Sequence, residues 1–404
     1  MCVCSEFSIG SILSIVWFFI KVLSVFNSVS VSIEMKFKIV ILVVYANCVI
    51  SINAFIVRQI LDNYIDNELY FGLQNLFNTT HKDCVWRNAI KDHHRCTNEV
   101  RIWLYTNGTE ELINTTDRNW LRTSNIWDEN KENLIFVHGY AGGDLSPSIM
   151  MVRDAFANNA NEFNFFLIDY GPVGRAPCYV SLVQNIKYVS KCLSSYFKQF
   201  IKCGMPKTNI TCMGHSMGAH ICGLMKRYLG FRINKIIGLD PALPMISNSI
   251  RLSQNDAHMV QTIQTNAGYY GDIGSIGHVD VCLNNGIIQP FCTNSKNPNL
   301  CSHLYALCVL TESIFAYDRI YAERCSEVCP HLNVFQIAKL FDAIDGHLVD
   351  ENDDSIPNKI EIGMNIPKSA RGSYCMSATK PPFCKTKPHQ IGSRQCCSLT
   401  DMLT

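Results

Sequence analysis

The sequence predicts an α/β fold in which a central, mostly parallel sheet is covered by helices on both faces. From Val100 onward, short apolar runs alternate with helical patterns, and the runs at 133–137 and 163–168 stop at a polar residue with a glycine one or two positions later. Such alternation is typical of parallel sheets, because each crossover between parallel strands needs a covering segment. Hydrophobic residues make up 48% of the 404 residues and charged residues 17%, which favours a sizeable core.

The individual elements follow from periodicity. Apolar runs predict strands at 100–105, 133–137, 163–168, 209–214 and 233–239, and the last run is ended by Pro241 and Pro244. Helical patterns cover residues 179–200 and 219–229. The longer of the two has its apolar residues three and four positions apart: Leu182, Val183, Ile186, Val189, Leu193, Phe197 and Phe200.

Charge and cysteine content exclude two classes of protein. With 35 Lys and Arg against 34 Asp and Glu, the net charge is +1, without the basic excess typical of nucleic-acid binding. The chain has 20 cysteines but neither paired CxxC motifs nor an HExxH motif, so no metal site is expected. We therefore predict a disulfide-stabilised, secreted and extracellular protein.

The N-terminal region predicts export. Residues 35–54 contain two lysines, an apolar run and then small residues, which is the layout of a secretory signal peptide. Residues 1–34 are expected to be either an extension upstream of a start at Met35 or a signal anchor or additional membrane span. One domain is expected over residues 55–390 and a C-terminal tail over 391–404. Removal of Cys2, Cys4 and Cys48 with the leader leaves 20 − 3 = 17 cysteines, so at least one is expected to be free or paired with another chain.

Four sequons predict N-linked glycans on a secreted surface. Three of them lie close together, within residues 78–116. The acceptor residues are Asn78, Asn107, Asn114 and Asn209.

The sharpest motif is Gly-His-Ser-Met-Gly at 214–218, between an apolar strand and a helical pattern. In this context the serine sits on a strained strand-to-helix turn, where side chains at the glycine positions would collide with neighbouring backbone. Ser216 is therefore the candidate nucleophile. A serine hydroxyl needs a base that is held by a third group.

Chain order restricts the acid and the base, because a serine at such a turn is followed first by the acid and then by the histidine. Asp240 ends an apolar strand and should lie beside the serine turn, with Asp280 as the runner-up. Among the later histidines we prefer His303, which lies between Cys301-Ser302 and a helical run. The other histidines in this order are His258, His278, His331, His347 and His389.

A tetrahedral oxyanion needs backbone N–H donors. Met217, directly after the nucleophile, should supply one of them. The loop after an early strand, at His138-Gly139-Tyr140, should supply the other from the N–H of Tyr140.

Four segments, in this order and spacing, resemble the pancreatic-lipase family of α/β-hydrolases, and most closely its insect and venom phospholipase A1 branch. They are FVHGY (136–140), GHSMGAH (214–220), GLDPALP (238–244) and CSH (301–303). The resemblance covers about residues 84–390. It implies the α/β-hydrolase fold, no metal or organic cofactor, and Ser216, Asp240 and His303 as nucleophile, acid and base.

The chain also departs from this family. It ends soon after the catalytic domain, so we expect no colipase partner. By the resemblance, Cys292 and Cys301 form the disulfide that closes the lid, yet they enclose only eight mostly polar residues. The loop between Asn266 and Gly277 is short as well. Cys282 stands where the family has aromatic residues, which leaves the remaining disulfide pairs open.

Short loops without an apolar flap favour a phospholipase A1 that releases the sn-1 fatty acid, with phospholipid or glyceride at a lipid–water interface as its partner. A neutral triacylglycerol lipase with a short lid would use the same residues. A non-catalytic lipid-binding or storage protein on this fold is the alternative of another class. The oligomeric state is not predicted.

Overall fold

One sheet of eleven strands organises the part of the chain that the structure describes. The structure, a computed structural model, describes residues 84–106, 108–143, 146–158, 162–314, 320–325 and 355–378. The predicted leader at 1–54 and the tail at 391–404 lie outside these residues, as do Asn78 and Asn107.

The strands and helices are numbered in chain order. The strands are β1 Arg101–Thr106, β2 Thr109–Leu112, β3 Glu132–Val137, β4 Phe163–Asp169, β5 Ile210–His215, β6 Ile233–Leu239, β7 Ala257–Gln264, β8 Val279–Leu283, β9 Tyr321–Arg324, β10 Lys359–Glu361 and β11 Gly372–Met376. The helices are α1 Cys96–Glu99, α2 Trp120–Thr123, α3 Pro147–Asn158, α4 Gly171–Gly174, α5 Tyr179–Lys202, α6 Met217–Leu229 and α7 Pro298–Glu312.

The middle of the sheet is parallel and its edges are antiparallel. The strand order is β10-β9-β11-β8-β7-β6-β5-β3-β4-β1-β2. The seven neighbouring strands β4-β3-β5-β6-β7-β8-β11 pair in parallel. At one edge β1 and β2, and at the other β9 and β10, add antiparallel strands. The predicted mostly parallel α/β sheet is therefore confirmed.

Two hydrophobic cores lie on opposite faces of the sheet. In β3, Ile135 and Val137 pack with helices α5 and α6, whereas Leu134 and Phe136 pack with α3 and α7. This alternation follows from the two-residue period of a strand, whose successive side chains point to opposite faces. The expected cover of helices on both faces is confirmed.

Every strand and helix predicted from periodicity is present, with ends shifted by one or two residues. Helix α6 begins at Met217 rather than at 219, directly after Ser216. Strand β7 was not predicted, because polar residues interrupt its apolar pattern: Gln261, Thr262 and Gln264 are all buried within the sheet. Buried polar side chains that find partners inside a sheet hide a strand from hydrophobicity patterns.

Five disulfides join described residues. They are Cys84–Cys178, Cys96–Cys192, Cys212–Cys222, Cys292–Cys301 and Cys325–Cys375. Cys203 is a free thiol within the described part of the chain. This agrees with the expectation from the cysteine count that one thiol is free or intermolecular.

Candidate active site

Ser216 lies at the turn between β5 and α6, at the carboxyl edge of the sheet. Its backbone has φ 55° and ψ −120°, a left-handed conformation that costs a non-glycine residue about 1–3 kcal/mol. A Cβ on Gly218 would lie 2.1 Å from the carbonyl oxygen of Val137, and one on Gly214 would lie 2.3 Å from the carbonyl carbon of Gly218. Both flanking glycines are therefore required by close backbone contacts, as the motif predicts.

Asp240 follows β6, the strand next to β5, and is fully buried. One carboxylate oxygen, Oδ1, accepts hydrogen bonds from the N–H groups of Thr265 (2.8 Å) and Asn266 (2.9 Å). The other, Oδ2, lies 2.6 Å from Nδ1 of His303. Since a carboxylate accepts, Nδ1 carries the proton, and Nε2 of a neutral His303 is left as a base. The aspartate thus sets both the orientation and the tautomer of the imidazole.

His303 is brought to this edge by helix α7. The side chain of Asn297 accepts a hydrogen bond from Leu300 N–H and begins the helix, and the Cys292–Cys301 disulfide holds its first turn. The rings of His303 and His215 are 4.6 Å apart between centroids. Because His215 directly precedes Ser216, the imidazole of His303 lies against the serine turn.

The loop after β3 passes beside the serine. A Cβ on Gly139 would lie 2.9 Å from Cβ of Ser216, so the peptide chain before Tyr140 touches the nucleophile turn. The N–H of Met217 is the first of helix α6 and has no intrahelical acceptor. The predicted oxyanion donors, Tyr140 and Met217, therefore flank Ser216 from two elements.

Residues at the end of β4 hold this loop. The Tyr170 hydroxyl donates to the carbonyl of His138 at 2.5 Å, and the His138 and Tyr170 rings stack with centroids 4.0 Å apart. Burial raises the pKa of Asp169, but the neighbouring His138 ring, the hydrogen bond from Gly171 N–H and the charge of Arg101 outweigh it and lower this pKa to about 2. Asp169 is therefore an anion that fixes the base of the loop.

Asp280, the runner-up acid, is occupied elsewhere. Its carboxylate accepts from the hydroxyls of Thr262 (2.6 Å) and Ser275 (2.8 Å) and from two backbone N–H groups. Burial raises the pKa of Asp280 against the effect of these hydrogen bonds. These contacts make Asp280 a structural carboxylate, in agreement with the simpler interpretation of its sequence position.

The other candidate histidines are not placed at the serine. Nδ1 of His278, the residue before β8, accepts from Val260 N–H in the middle of β7 at 3.0 Å, and His258 is exposed. His220 bridges the carbonyl of Ala242 and the N–H of Leu252. His331, His347 and His389 lie outside the described residues.

The two described sequons differ in their surroundings. Asn114 is exposed, and the Thr116 hydroxyl donates to its side-chain oxygen at 2.6 Å. The amide of Asn209 instead donates to the carbonyl of Lys131 at 2.9 Å, and Thr211 is buried within β5. Within the described residues, neither a cluster of side chains suited to a metal ion nor a helix of the length and apolar character needed to cross a membrane is present.

The sequence does not reveal the backbone N–H groups that hold the acid, Asp240, or the histidine that contacts the helix of the base, His303. The Thr265 and Asn266 N–H groups on Asp240 are backbone donors, which any residue could supply. His215 sits inside the serine motif, where its proximity to Ser216 argues against a role as base. Its contact with helix α7 depends on a tertiary arrangement that periodicity does not reveal.

Comparison with known proteins assigns the chain to a family. A family model described as Lipase matches residues 74–327, more than half of the sequence, and the chain belongs to this lipase family. Rat lipase member H is 25% identical over 256 residues, which cover 62% of this chain and 55% of that protein. The resemblance to the pancreatic-lipase family is thereby confirmed.

Wasp enzymes are among the relatives as well. Phospholipase A1 of Vespa velutina is 38% identical over 144 residues, covering 34% of this chain and 47% of that protein. Phospholipase A1 VesT1.02 of Vespa tropica is 29% identical over 238 residues, covering 52% and 78%. The chain spans about half the length of the first two relatives. A CIB-like hydrolase from Thermoplasma acidophilum covers 43% of this chain and 73% of its own, with 16% identity and a TM-score of 0.27.

Proposed function

We propose that this protein is a secreted phospholipase A1, which releases the fatty acid from the sn-1 position of phospholipids. The observation that carries the proposal is that His303 is hydrogen-bonded to Asp240 and lies against His215, the residue before Ser216. The strained serine and the His303–Asp240 hydrogen bond of 2.6 Å are the parts that acyl transfer requires. Membership of the lipase family and the wasp relatives support a lipid ester as substrate.

The proposed reaction has two halves. In the first, Oγ of Ser216 attacks the ester carbonyl carbon while Nε2 of His303 takes the hydroxyl proton. The N–H groups of Tyr140 and Met217 stabilise the oxyanion, and the proton then passes from His303 to the departing lysophospholipid alkoxide. In the second half, His303 deprotonates a water that attacks the acyl-serine, and the fatty acid leaves with Ser216 restored.

Asp240 holds the imidazole of His303 throughout this cycle. Its Oδ1 is held by two backbone N–H groups and its Oδ2 by His303. Its negative charge therefore stabilises the imidazolium that forms on His303 when the proton is transferred. No metal or organic cofactor is needed for these steps.

The loop before helix α7 supports phospholipid, rather than a bulky neutral glyceride, as the substrate. Between Cys292 and Cys301 the chain makes local contacts, with the hydroxyls of Thr293 and Ser295 donating to the carbonyls of Pro290 and Cys292. Helix α7 already begins at Pro298, so no separate amphipathic helix fits within this loop. This loop accordingly supplies no apolar flap, which supports a lipid with a large polar head group as the substrate.

Secretion is part of the proposal. It is supported by the signal-peptide pattern of residues 35–54 and by disulfides that need an oxidising compartment. N-terminal sequencing of the secreted product tests it. An N-terminus upstream of Met35 would contradict the interpretation of residues 1–34 as an extension that precedes the true start of the protein.

The activity is tested with the secreted protein and a Ser216→Ala control. Phosphatidylcholine with distinguishable sn-1 and sn-2 chains is supplied beside a triacylglycerol. Release of the sn-1 chain from phospholipid, absent in the control, is expected. Hydrolysis of triacylglycerol alone would instead identify a neutral lipase, and a folded protein that hydrolyses neither lipid would favour a lipid-binding role.

A further inference from the structure

His215 directly precedes Ser216 and contacts both the helix that carries His303 and the loop after β3. The proposed reaction itself does not use it. It is the last residue of β5 and is almost completely buried, with 5% of its surface exposed. Its Nε2 lies 3.0 Å from the backbone carbonyl oxygen of His303, on helix α7. A Cβ on Gly139 would lie 3.1 Å from its Nδ1, so the ring also lies against the loop after β3 that carries Tyr140.

The partners of this ring define its tautomer and charge. A backbone carbonyl can only accept, so Nε2 of His215 carries the proton and donates to His303. Burial, and then the neighbouring His303, hold the pKa of His215 well below its usual range. The ring is therefore neutral and adds no positive charge beside the imidazolium that forms on His303 during catalysis.

We propose that His215 is a positioning residue: its Nε2–H fixes the backbone of His303, and thereby places the base against Ser216. This inference rests on the proposed function of the site. The Asp240 contact holds the His303 side chain at Nδ1, but it does not tie the backbone of helix α7 to β5. The His215 bond holds that backbone directly, and it does so from the residue next to the nucleophile.

The test replaces His215 in the full secreted protein and measures hydrolysis of a soluble short-chain ester. His215→Leu removes the donor and is expected to lower kcat on the order of 10²-fold at nearly constant KM, as a small misplacement of a reacting group does. His215→Gln places an amide N–H near the position of Nε2 and should recover most of kcat. A loss of kcat at constant KM together with rescue by glutamine distinguishes positioning from a purely structural role.

His278→Leu is the matched control. It makes the same chemical change at a histidine that also contacts backbone, through Nδ1 and Val260 N–H. That contact joins the residue before β8 to the middle of β7, four positions before the carboxyl end of β7 and away from the turn that carries Ser216. We expect this variant to lose stability and to retain the kcat of the wild type.

The inference remains testable if the leucine variant does not fold or if the wild type shows no esterase activity. If His215→Leu is not recovered as a folded protein, His215→Asn is compared with His215→Gln, since the shorter amide cannot reach the carbonyl of His303. Equal kcat values for Asn and Gln, or a wild-type kcat for Leu, overturn the inference. If the wild type hydrolyses no ester, the proposed function fails, and the rate at which a fluorophosphonate labels Ser216 in the same variants still tests the positioning.

Discussion

At the scale of single residues, Asp240 and Asp280 show how the same side chain takes two roles. Both are buried carboxylates near the carboxyl half of the sheet, and chain order alone permits either as the acid. Asp240 keeps one oxygen for His303, whereas the carboxylate of Asp280 is held by two hydroxyls and two N–H groups. Hydrogen-bond partners, rather than sequence position, separate them.

Exchanging each aspartate for asparagine tests this distinction. In Asp240→Asn the amide N–H faces Nδ1–H of His303, which favours the wrong tautomer, so we expect kcat to fall by about 10⁴-fold with little change in KM. Asp280→Asn should lower the melting temperature, because a buried acceptor is lost, and leave kcat unchanged. Steady-state kinetics on a soluble ester checks both, and the reverse pattern would make Asp280 the acid.

Glycan attachment also depends on single side chains. A glycan on Asn209 would displace the hydrogen bond of its amide to Lys131, whereas Asn114 is exposed. Peptide mass spectrometry of the secreted protein is expected to find a glycan on Asn114 and none on Asn209. Asn114→Gln should accordingly lower the apparent mass of the protein. A glycosylated Asn209 in folded protein would contradict this account.

The candidate nucleophile, acid and base could be predicted from the sequence, because each is tied to a local pattern. Ser216 has flanking glycines, Asp240 follows an apolar strand, and His303 comes after both in chain order. The groups that hold them could not be predicted in the same way. The Thr265 and Asn266 N–H groups and the His215 contact arise from strand and helix neighbours that are far apart in sequence.

At the scale of elements, two loops at the carboxyl edge expose apolar side chains beside the site. Met245 follows β6 and Tyr269 follows β7, and they are 43% and 46% exposed. Their loops are joined by a hydrogen bond of 2.8 Å from Leu243 N–H to the carbonyl of Tyr270, and the Tyr270 ring lies 5.6 Å from that of His303. This rim is suited to contact a lipid surface.

Replacing Met245 and Tyr269 together by serine tests the role of the rim. Partial burial of the two side chains in lipid is worth about 2 kcal/mol, so binding to phosphatidylcholine vesicles should weaken roughly 30-fold. Hydrolysis of a soluble ester should not change, because neither side chain takes part in the chemistry. Vesicle sedimentation and ester kinetics measure the two effects.

Tyr321→Ser is the control for this experiment. Tyr321 is similarly exposed, at 44%, but belongs to β9 near the far edge of the sheet. An equal loss of vesicle binding in this control would show that the rim has no special role.

Elements with a regular apolar period were predictable, and those with mixed patterns were not. Helix α5 has buried apolar residues throughout one face, so its sequence and structure agree from Tyr179 onward. Strand β7 was missed because its buried Gln261 and Thr262 break the pattern. The pairing of strands depends on the order in which the chain visits the sheet, which no single segment encodes.

At the scale of the whole molecule, disulfides connect the N-terminal part of the described chain to helix α5 and to Cys178, the residue directly before it. Cys84–Cys178 and Cys96–Cys192 close loops with sequence separations of 94 and 96 residues. Cross-links over such long loops remove much of the conformational entropy of the unfolded chain. The abundance of cysteine predicted disulfides, but their partners required the fold, since paired residues lie far apart in sequence.

Removing one of these bonds should destabilise the protein strongly. For Cys96→Ser with Cys192→Ser we expect a loss of about 4 kcal/mol in the free energy of unfolding, and a fall in melting temperature of roughly 10 °C. Cys203→Ser, which changes a free thiol that donates to the carbonyl of Arg118, serves as the control and should change the melting temperature little. Equal melting temperatures for the two variants would contradict the role of the Cys96–Cys192 bond.

In the proposed reaction, Ser216 takes the sn-1 acyl chain from a phospholipid. The most direct measurement is mass spectrometry of the Ser216 peptide after rapid quenching, with phosphatidylcholine that carries palmitoyl at sn-1 and oleoyl at sn-2. We expect a palmitoyl adduct on Ser216 that is absent in Ser216→Ala. An oleoyl adduct, or turnover of phospholipid in the alanine variant, would contradict it.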